Sequence, residues 1–259
     1  MNKVLKKQKI AENTYLLELE APEIAKKIGP GQFVIIRPKE MTSFVCVPVG
    51  TTKRKSISVI VKGNSSKDLF NLKKNDKVSD VVGPIGNQTG VEEIENICLI
   101  TDSYGIPTIY NIAKIYKDKK IQSSIIVGAN NKKLLYWEDK LKDVTKNLFF
   151  CTEDGSKGLK GDVPFHLRNI FHESILPFEL AIISGSPSFM KDVSKFTKQR
   201  VKTRAIVNPQ MIDPIGLSGT CRIRIDEKIK FATIDGPEFD AHTIDFRELL
   251  GRLGKKYNE

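Results

Sequence analysis

The sequence has few of the residues that hold metals or form covalent cross-links. Its 259 residues include 4 cysteines and 3 histidines. The cysteines lie far apart without a C-x-x-C pair, and the histidines lack H-x-x-x-H spacing. Zinc sites and disulfide frameworks depend on closely spaced ligands of these types. The sequence therefore predicts neither a zinc site nor a histidine-based triad, and the isolated thiols indicate a reducing, cytoplasmic setting.

Long apolar runs and arginine-rich blocks are also missing. No apolar run approaches the ~18 residues that cross a bilayer, and no charged start leads into an apolar signal core. The formal net charge is +11, but acidic residues interrupt the lysine-rich stretches. Nucleic-acid binding would favour basic clusters with interleaved aromatic residues. We therefore predict a globular cytoplasmic protein with no membrane or nucleic-acid partner, whose lysines lie on solvated faces.

Residues 1–90 contain short strand-like runs separated by turns. YLLELEAP alternates in part, and FVIIRP and SISVIVK are rich in β-branched residues. Proline and glycine break the chain between these runs. Short strands with frequent turns are typical of a small antiparallel β-barrel. We predict such a barrel domain over residues 1–90.

Residues 91–206 alternate apolar strand-like runs with helix-like stretches. ENICLIT, KIQSSIIVGA and LAIISGS are such runs, and IPTIYNIAKIYKDKK has helical character. This alternation predicts a parallel sheet with helices on both faces, which is a Rossmann-like α/β domain. Ligands of such sheets bind outside the carboxyl ends of the strands. The turn after ENICLIT is therefore the candidate phosphate-binding turn.

Residues 207–259 are predicted to form a small lobe of loops around one hairpin, followed by a terminal helix. The predicted strands of the hairpin are Arg222 to Ile225 and Lys228 to Phe231. Apolar residues recur at helical spacing from Ile244 to Leu253, which is typical of a helix packed against the body of a protein.

The loop before the hairpin has the spacing of an iron–sulfur site. It reads Asp213-x4-Ser218-x2-Cys221-x11-Thr233, and a C-x4-C-x2-C-x11-C run would be the ligand spacing of a [2Fe–2S] cluster held by thiolates. Only Cys221 supplies a thiolate here.

Several segments together resemble a known family. They are FVIIRP, SDVVGPIG, VGANN..LLYWEDKL, EDGSKGLKG, VNPQMIDPIGLSGTC and DGPEFDAH. They resemble the small subunits of NAD-dependent reduced-ferredoxin:NADP oxidoreductase and, more distantly, the electron-transfer subunits of dihydroorotate dehydrogenase. The resemblance extends along the chain. It implies an FAD-type barrel, an NAD(P)-type α/β domain, a [2Fe–2S]-type lobe and a large flavoprotein or iron–sulfur partner subunit.

Within this resemblance, the cluster site has changed at two of four positions. Asp213 and Cys221 match the family's loop, whereas Ser218 and Thr233 stand where the family has cysteines. A hydroxyl is a poor ligand for iron because its proton leaves only at high pH. We therefore expect no [2Fe–2S] cluster, or one rebuilt around Asp213, Ser218 and Cys221. In the alternative without metal, Cys221 is an ordinary small buried residue.

The resemblance also implies two FAD-binding motifs in the barrel. An Arg-x-Pro-x-Ser/Thr motif falls on Cys46-Val47-Pro48-Val49-Gly50, where Pro48 is retained and the arginine is lost. That loss removes a charge-assisted contact worth about 1.5–3 kcal/mol. The second motif, a glycine–hydroxyl turn, is retained as Gly63-Asn64-Ser65-Ser66, although an ordinary turn uses the same residues. FAD binding stays open, with Pro48, Gly63, Ser65 and Ser66 as its candidate residues.

The candidate phosphate-binding turn has lost most of the family's glycines. It reads Thr101-Asp102-Ser103-Tyr104-Gly105, in which Gly105 is retained. Asp102 places a negative charge where a pyrophosphate would lie, so NAD(P) binding in the usual mode is not expected. In the alternative without a ligand, Asp102 and Ser103 cap the following helix. A later turn resembles the family's nicotinamide-facing turn and retains Gly185 and Pro187.

These substitutions leave hypotheses of different classes. In the first, the chain is an oxidoreductase electron-transfer subunit that lacks the cluster and normal NAD(P) binding. In the second, it is an inactive pseudo-subunit with a structural or regulatory role in a complex with a large flavoprotein. A third, a nucleotide or nucleic-acid binder, rests on the positive charge alone. Cys46 or Asp102 in a phosphate position would favour the pseudo-subunit.

Overall fold

The computed structural model describes residues 2–40, 45–63, 67–208 and 216–253, with the backbone alone for residues 45–47. Ser65, Ser66 and Asp213 lie outside this part of the chain, as does the side chain of Cys46. The chain divides into two compact units. The first comprises Met1–Thr89, Asn208–Ile223 and Lys230–Pro237, and the second comprises Gly90–Val207, Arg224–Ile229 and Glu238–Glu259. The three-domain division predicted from the sequence stays a prediction.

In the described part of the first unit, seven strands form one antiparallel sheet. In spatial order they are β6 (Lys77–Val78), β1 (Asn2–Ala11), β2 (Thr14–Glu20), β5 (Ser56–Lys62), β4 (Val45–Lys53), β3 (Phe33–Arg37) and β7 (Asp80–Ile85). The end strands β6 and β7 are separated in sequence by Ser79 alone, so the sheet curls into a nearly closed barrel. Two short helices, α1 (Pro22–Lys27) and α2 (Lys67–Asn71), accompany it. The predicted barrel is confirmed.

Strand alternation explains the barrel core. Leu17 and Leu19 of β2 and Val59 and Val61 of β5 are each fully buried in one core cluster. Successive side chains of a strand point to opposite faces of the sheet, so residues two apart share the inner face. On the outer face of β2, Glu18 accepts a hydrogen bond from Ser56 Oγ at 2.8 Å.

In the described part of the second unit, seven strands form a mostly parallel sheet. Their order is β11 (Leu159–Lys160), β10 (Asn147–Thr152), β9 (Gln122–Ala129), β8 (Asn96–Asp102), β12 (Leu180–Ser184), β13 (Lys202–Ile206) and β16 (Glu238–Asp240). Only β16 runs antiparallel to its neighbour among these strands. The helices between them are α3 (Ile106–Asp118), α4 (Glu138–Val144), α5 (Val163–Glu173) and α6 (Pro187–Thr197). The predicted Rossmann-like α/β domain is confirmed.

The strand order of this sheet reverses direction beside β8. From β8 the chain moves outward through β9, β10 and β11, and it then returns to the other side of β8 for β12 and β13. The carboxyl ends of β8 and β12 therefore flank a topological switch point, where ligands of open α/β sheets bind.

The end of the chain carries the predicted hairpin and helix. Strands β14 (Arg222–Ile225) and β15 (Lys228–Phe231) pair with each other and have the predicted bounds. Helix α7 (Phe246–Leu253) buries Phe246, Leu249 and Leu253 at helical spacing. Both predicted elements are confirmed. Among the described residues, no helix is both long enough and apolar enough to span a membrane.

Candidate functional site

The turn after β8 holds the carboxylate of Asp102 against backbone N–H groups. Asp102 Oδ1 accepts the N–H of Tyr104 at 2.8 Å and that of Gly105 at 3.3 Å. Asp102 Oδ2 accepts the N–H of Ser186, in the turn after β12, at 2.8 Å. One carboxylate thus joins the two turns that flank the switch point. The donors it uses lie at the sheet edge where ligands of this fold class bind.

The predicted capping role of Asp102 and Ser103 is wrong. Helix α3 begins at Ile106, and its N-cap is Gly105, which has no side chain. Asp102 lies three residues before this N-cap, so its carboxylate reaches the N–H groups of the turn instead of those of the first helical turn. Ser103 is buried, and its carbonyl accepts a hydrogen bond from Tyr136.

Close contacts at the switch point require glycine at positions 105 and 185. A Cβ on Gly105 would lie 2.3 Å from the carbonyl oxygen of Ser184, and a Cβ on Gly185 would lie 2.7 Å from Asp102 Oδ1. Both distances are shorter than packed atoms allow. Gly105 therefore lets α3 begin against β12, and Gly185 makes room for the Asp102 carboxylate. The cofactor roles predicted for both residues stay predictions.

Pro187 fixes the start of α6 after the same turn. It is buried at the first position of the helix, directly after the N-cap Ser186. Proline suits this position because its missing N–H would have no helical partner there. Met190, one turn on, is fully buried and donates its N–H to the carbonyl of Ser186 at 2.9 Å. The predicted cofactor role of Pro187 stays a prediction.

Tyr136 supports the β8 turn from the interior. Its ring is 5% exposed, and its phenol donates a hydrogen bond to the carbonyl of Ser103 at 2.9 Å. Burial and, secondarily, the charge of Asp102 raise the pKa of Tyr136 well above its usual value of 10. The phenol therefore stays protonated and keeps its hydrogen bond. The sequence pattern gave no signal for this contact or for the N–H donors of Tyr104 and Ser186.

A cavity of about 320 Å³ opens over these turns, at the carboxyl ends of β8, β9, β10 and β12. The described residues that line it include four carboxylates and neither lysine nor arginine. The carboxylates belong to Asp102, Glu153, Asp162 and Asp192. Phosphate groups bind where N–H groups or cations face them. The position of this cavity suits a nucleotide, but its charge disfavours phosphate.

In the first unit, Cys221 and Thr233 lie side by side. Cys221 Sγ is 3.3 Å from Thr233 Oγ1, and both side chains are buried. The hairpin brings them together, and the N–H of Ala232 bonds the carbonyl of Cys221 at 3.0 Å. Gly216 has a φ of +74°, and a Cβ there would lie 3.2 Å from Thr233 Oγ1. Glycine adopts this left-handed conformation without strain and lets the loop close over the pair.

Ser218 is placed differently from Cys221. Its side chain is exposed, and its hydroxyl lies 2.8 Å from that of Thr220. The described positions of the predicted cluster site thus offer one thiol and two hydroxyls, which do not fit the thiolate set of a [2Fe–2S] cluster. Within the described residues, no group of three or more His, Cys, Asp or Glu could hold a metal ion. The eroded site predicted at Asp213, Ser218 and Cys221 stays a prediction.

Of the candidate flavin residues, the structure describes Pro48 and Gly63. Pro48 lies on β4, opposite Phe33 of β3. Gly63 follows β5, donates its N–H to the carbonyl of Asn13 at 2.9 Å and lies against the ring of Phe70. Ser65 and Ser66 are outside the described residues. The flavin site therefore stays a prediction.

Comparison with known sequences finds relatives that match nearly the whole chain, although no protein-family model matches it. The dihydroorotate dehydrogenase B (NAD(+)) electron transfer subunit homolog of Thermotoga maritima is 34% identical over 260 residues, which cover 98% of this chain and 91% of the relative. The electron transfer subunit of the same enzyme from Listeria innocua is 27% identical over 254 residues, with 93% and 97% covered.

Solved structures give the same fold. The structure of an NADH-dependent reduced ferredoxin–NADP oxidoreductase aligns with a TM-score of 0.90 and 34% identity, covering 98% of this chain and 92% of that one. Phthalate dioxygenase reductase aligns with a TM-score of 0.64 over 80% of this chain and 68% of that one, at 16% identity, which shows the fold alone. The chain has a ferredoxin-reductase-like fold, and its full-length match shows that it belongs to the family of dihydroorotate dehydrogenase B electron-transfer subunits and their homologues.

Proposed function

We propose that this protein is an electron-transfer subunit of a heteromeric oxidoreductase, which holds FAD in its barrel and works with a larger flavoprotein or iron–sulfur subunit. The observation that carries the proposal is the match over 98% of the chain, at a TM-score of 0.90, to an NADH-dependent reduced ferredoxin–NADP oxidoreductase. When bound, FAD supplies the exchange of one or two electrons. The chain itself supplies the fold that binds the flavin and contacts the partner subunit.

The proposed subunit has no [2Fe–2S] cluster of its own. The contact between Cys221 and Thr233 supports this, because the thiol already has a neutral hydroxyl as its neighbour at 3.3 Å. Ser218 adds a second hydroxyl, which is directed to Thr220. Iron in such clusters is held mainly by soft, charged thiolates. The electrons of this subunit would then pass directly between its flavin and the partner.

We also propose that this chain does not bind a nicotinamide nucleotide in the usual site. The support is the Asp102 carboxylate, which accepts N–H groups of both turns at the switch point. Three further carboxylates line the same cavity. A pyrophosphate entering there would meet like charge and donors that already have an acceptor.

The proposed partner surface includes the loops around Cys221. Leu217 is 85% exposed and Ile234 is 57% exposed. A Cβ on Gly216, the residue directly before Leu217, would be 3.5 Å from Ile234 Cδ1. Exposed apolar side chains that lie close together are typical of interaction sites. A partner subunit would cover them.

The second candidate function is a pseudo-subunit that binds the same partner without redox chemistry. Asp102 favours it, because its carboxylate accepts hydrogen bonds from the N–H groups of the candidate phosphate turn. Such a contact is expected in a nucleotide site that has lost its function. Both functions share the partner surface. They differ in whether the barrel holds a flavin.

The test is to co-express the chain with the candidate larger subunit, to purify the complex, and then to separate the chain and measure its FAD and iron. About one FAD per chain without iron is the expected result. A colourless chain that still binds the larger subunit would replace the first function with the second. About two iron atoms per chain, lost in a Cys221→Ser control, would contradict both.

A further inference from the structure

We propose that Asp102 determines which ligands the cavity at the switch point accepts, because its carboxylate takes the place of a phosphate group. Removing this one carboxylate should open a phosphate-binding site that the wild-type protein keeps closed. The inference rests on the proposed function only in that the wild-type cavity holds no nicotinamide nucleotide in the usual mode. It does not depend on whether flavin or a partner is bound.

The donors around Asp102 are those of an anion site. The N–H groups of Tyr104 and Gly105 precede the 13-residue helix α3, and the N–H of Ser186 precedes the 11-residue helix α6. All three donate to the Asp102 carboxylate at 2.8–3.3 Å. Backbone N–H groups and the positive end of a helix dipole both favour a bound anion. Asp102 supplies that anion from within the chain.

The surrounding backbone is shaped to fit this carboxylate. A Cβ on Gly185 would lie 2.7 Å from Asp102 Oδ1 and 2.8 Å from Asp102 Cγ. The absence of a side chain at Gly185 therefore leaves the volume that the carboxylate fills. The contact also links β8 and β12, the two strands at the switch point, where the sheet topology places a ligand.

An attached carboxylate has a large advantage over a free phosphate. Its binding to the N–H groups requires little further loss of translational and rotational freedom, whereas a free ligand must lose both. A phosphate would also have to displace the carboxylate and then meet Glu153, Asp162 and Asp192 of the same cavity. Occupancy by Asp102 is therefore a separate barrier from the general negative charge of the cavity.

The test compares Asp102→Gly with Asp192→Asn. Both substitutions remove one negative charge from the cavity, but the described contacts of the Asp192 carboxylate include a Lys195 ion pair at 3.4 Å and none of the three N–H donors. Binding of ADP and of inorganic pyrophosphate is measured by isothermal titration. We expect Asp102→Gly to bind both at least about tenfold more tightly than the wild type does, the worth of regained charge-assisted hydrogen bonds. Asp192→Asn should stay close to the wild type.

Removal of the Asp102 carboxylate also lowers stability, so a second measurement is made on Asp102→Gly and on a parallel Asp102→Ala variant. It compares their melting temperatures with and without added pyrophosphate. If the N–H groups are left without an acceptor, added pyrophosphate should raise the melting temperature of both variants more than that of the wild type or Asp192→Asn. Equal gains in affinity for Asp102→Gly and Asp192→Asn would overturn the proposal in favour of general charge. The proposal would also be overturned if the wild type bound ADP as tightly as Asp102→Gly does. It would be overturned as well if Asp102→Gly gained neither affinity for the two ligands nor melting temperature on addition of pyrophosphate.

Discussion

The thiol of Cys221 lies 3.3 Å from the hydroxyl of Thr233, and the two residues are separated by the hairpin of β14 and β15. This contact joins two of the four positions where the family resemblance implies iron ligands. The backbone thus keeps those two positions adjacent, although one of the side chains no longer suits iron. Substitutions in this lobe can therefore test whether the side chains, and not the backbone, decide if a cluster forms.

Replacing both hydroxyls by thiols should allow a cluster to form. In Ser218→Cys/Thr233→Cys, Cys221 and the two new cysteines supply three thiolates, and the family resemblance implies Asp213 as the fourth ligand. We expect anaerobic reconstitution with iron and sulfide to load about two iron atoms per chain, with visible charge-transfer absorption. Thiolates are the soft, charged ligands that such iron prefers.

The matched control for this variant is Ser218→Ala/Thr233→Val, which removes both hydroxyls without adding thiols and should load no iron. Iron loading by the wild type equal to that of the cysteine variant would show that hydroxyl ligands suffice. Failure of a folded cysteine variant to bind iron would show that the backbone no longer holds the four positions in register.

Gly185→Ala should destabilise the protein through Asp102. The new Cβ would lie 2.7 Å from Asp102 Oδ1, so the carboxylate or the turn must move, at a cost of about 1–3 kcal/mol. The same substitution in an Asp102→Gly background should cost less, because the contact with the carboxylate is absent and only the strain of the φ of +158° at position 185 remains. Urea unfolding of the four proteins in this double-mutant cycle measures the coupling.

Gly251 provides the control for this cycle. It lies in α7, and a Cβ there meets no atom within 4 Å. Gly251→Ala should therefore stabilise the helix by about 0.5–1 kcal/mol. If Gly185→Ala costs the same with and without Asp102, the conflict is with the backbone and not with the carboxylate.

Tyr136→Phe should lower the free energy of unfolding by about 1 kcal/mol at neutral pH, because the hydrogen bond to the carbonyl of Ser103 is lost. The difference should shrink as the pH rises above 10. In the wild type the folded phenol keeps its proton, since its pKa is raised well above 10 by burial and by Asp102, while the unfolded phenol releases its proton near pH 10. Proton release thus favours unfolding of the wild type alone. A gap that widens with pH would contradict this assignment.

Arg204→Met should destabilise the edge of the α/β sheet. The Arg204 guanidinium binds the carboxylates of Glu92 and Glu238, with a contact of 2.8 Å to Glu238, and so joins β13 to β16. The three side chains are 19%, 28% and 18% exposed, so solvent screens them only in part. We expect a loss of about 1–3 kcal/mol in urea unfolding. Lys195→Ala, which removes an exposed ion pair with Asp192, should change stability by less than about 1 kcal/mol.

The sequence was sufficient for the fold because its patterns are local. Alternation along YLLELE and the run SISVIVK marked barrel strands that the structure contains as β2 and β5. The hairpin bounds at Arg222–Ile225 and Lys228–Phe231 followed from β-branched and charged residues around a polar turn. Periods of two and 3.6 residues reflect backbone geometry, so they remain visible without tertiary information.

The site was harder to predict because its contacts are distant in sequence. Asp102 was expected to cap the next helix, but its Oδ2 atom bonds the N–H of Ser186, 84 residues away. No local pattern specifies that partner. The start of α3 is likewise set by the close approach of Gly105 to Ser184 in another strand. Ser65, Ser66 and Asp213 lie outside the described residues, so their roles stay predictions.

An anaerobic titration of the FAD-reconstituted protein with NADH and with NADPH, followed at the flavin absorption band, tests directly whether this chain takes electrons from a nicotinamide nucleotide. We expect that neither nucleotide reduces the flavin, because the Asp102 carboxylate occupies the N–H donors of the candidate phosphate turn, whereas dithionite reduces it fully. Rapid reduction of the flavin by either nucleotide would show instead that electrons enter from a nucleotide bound to this chain.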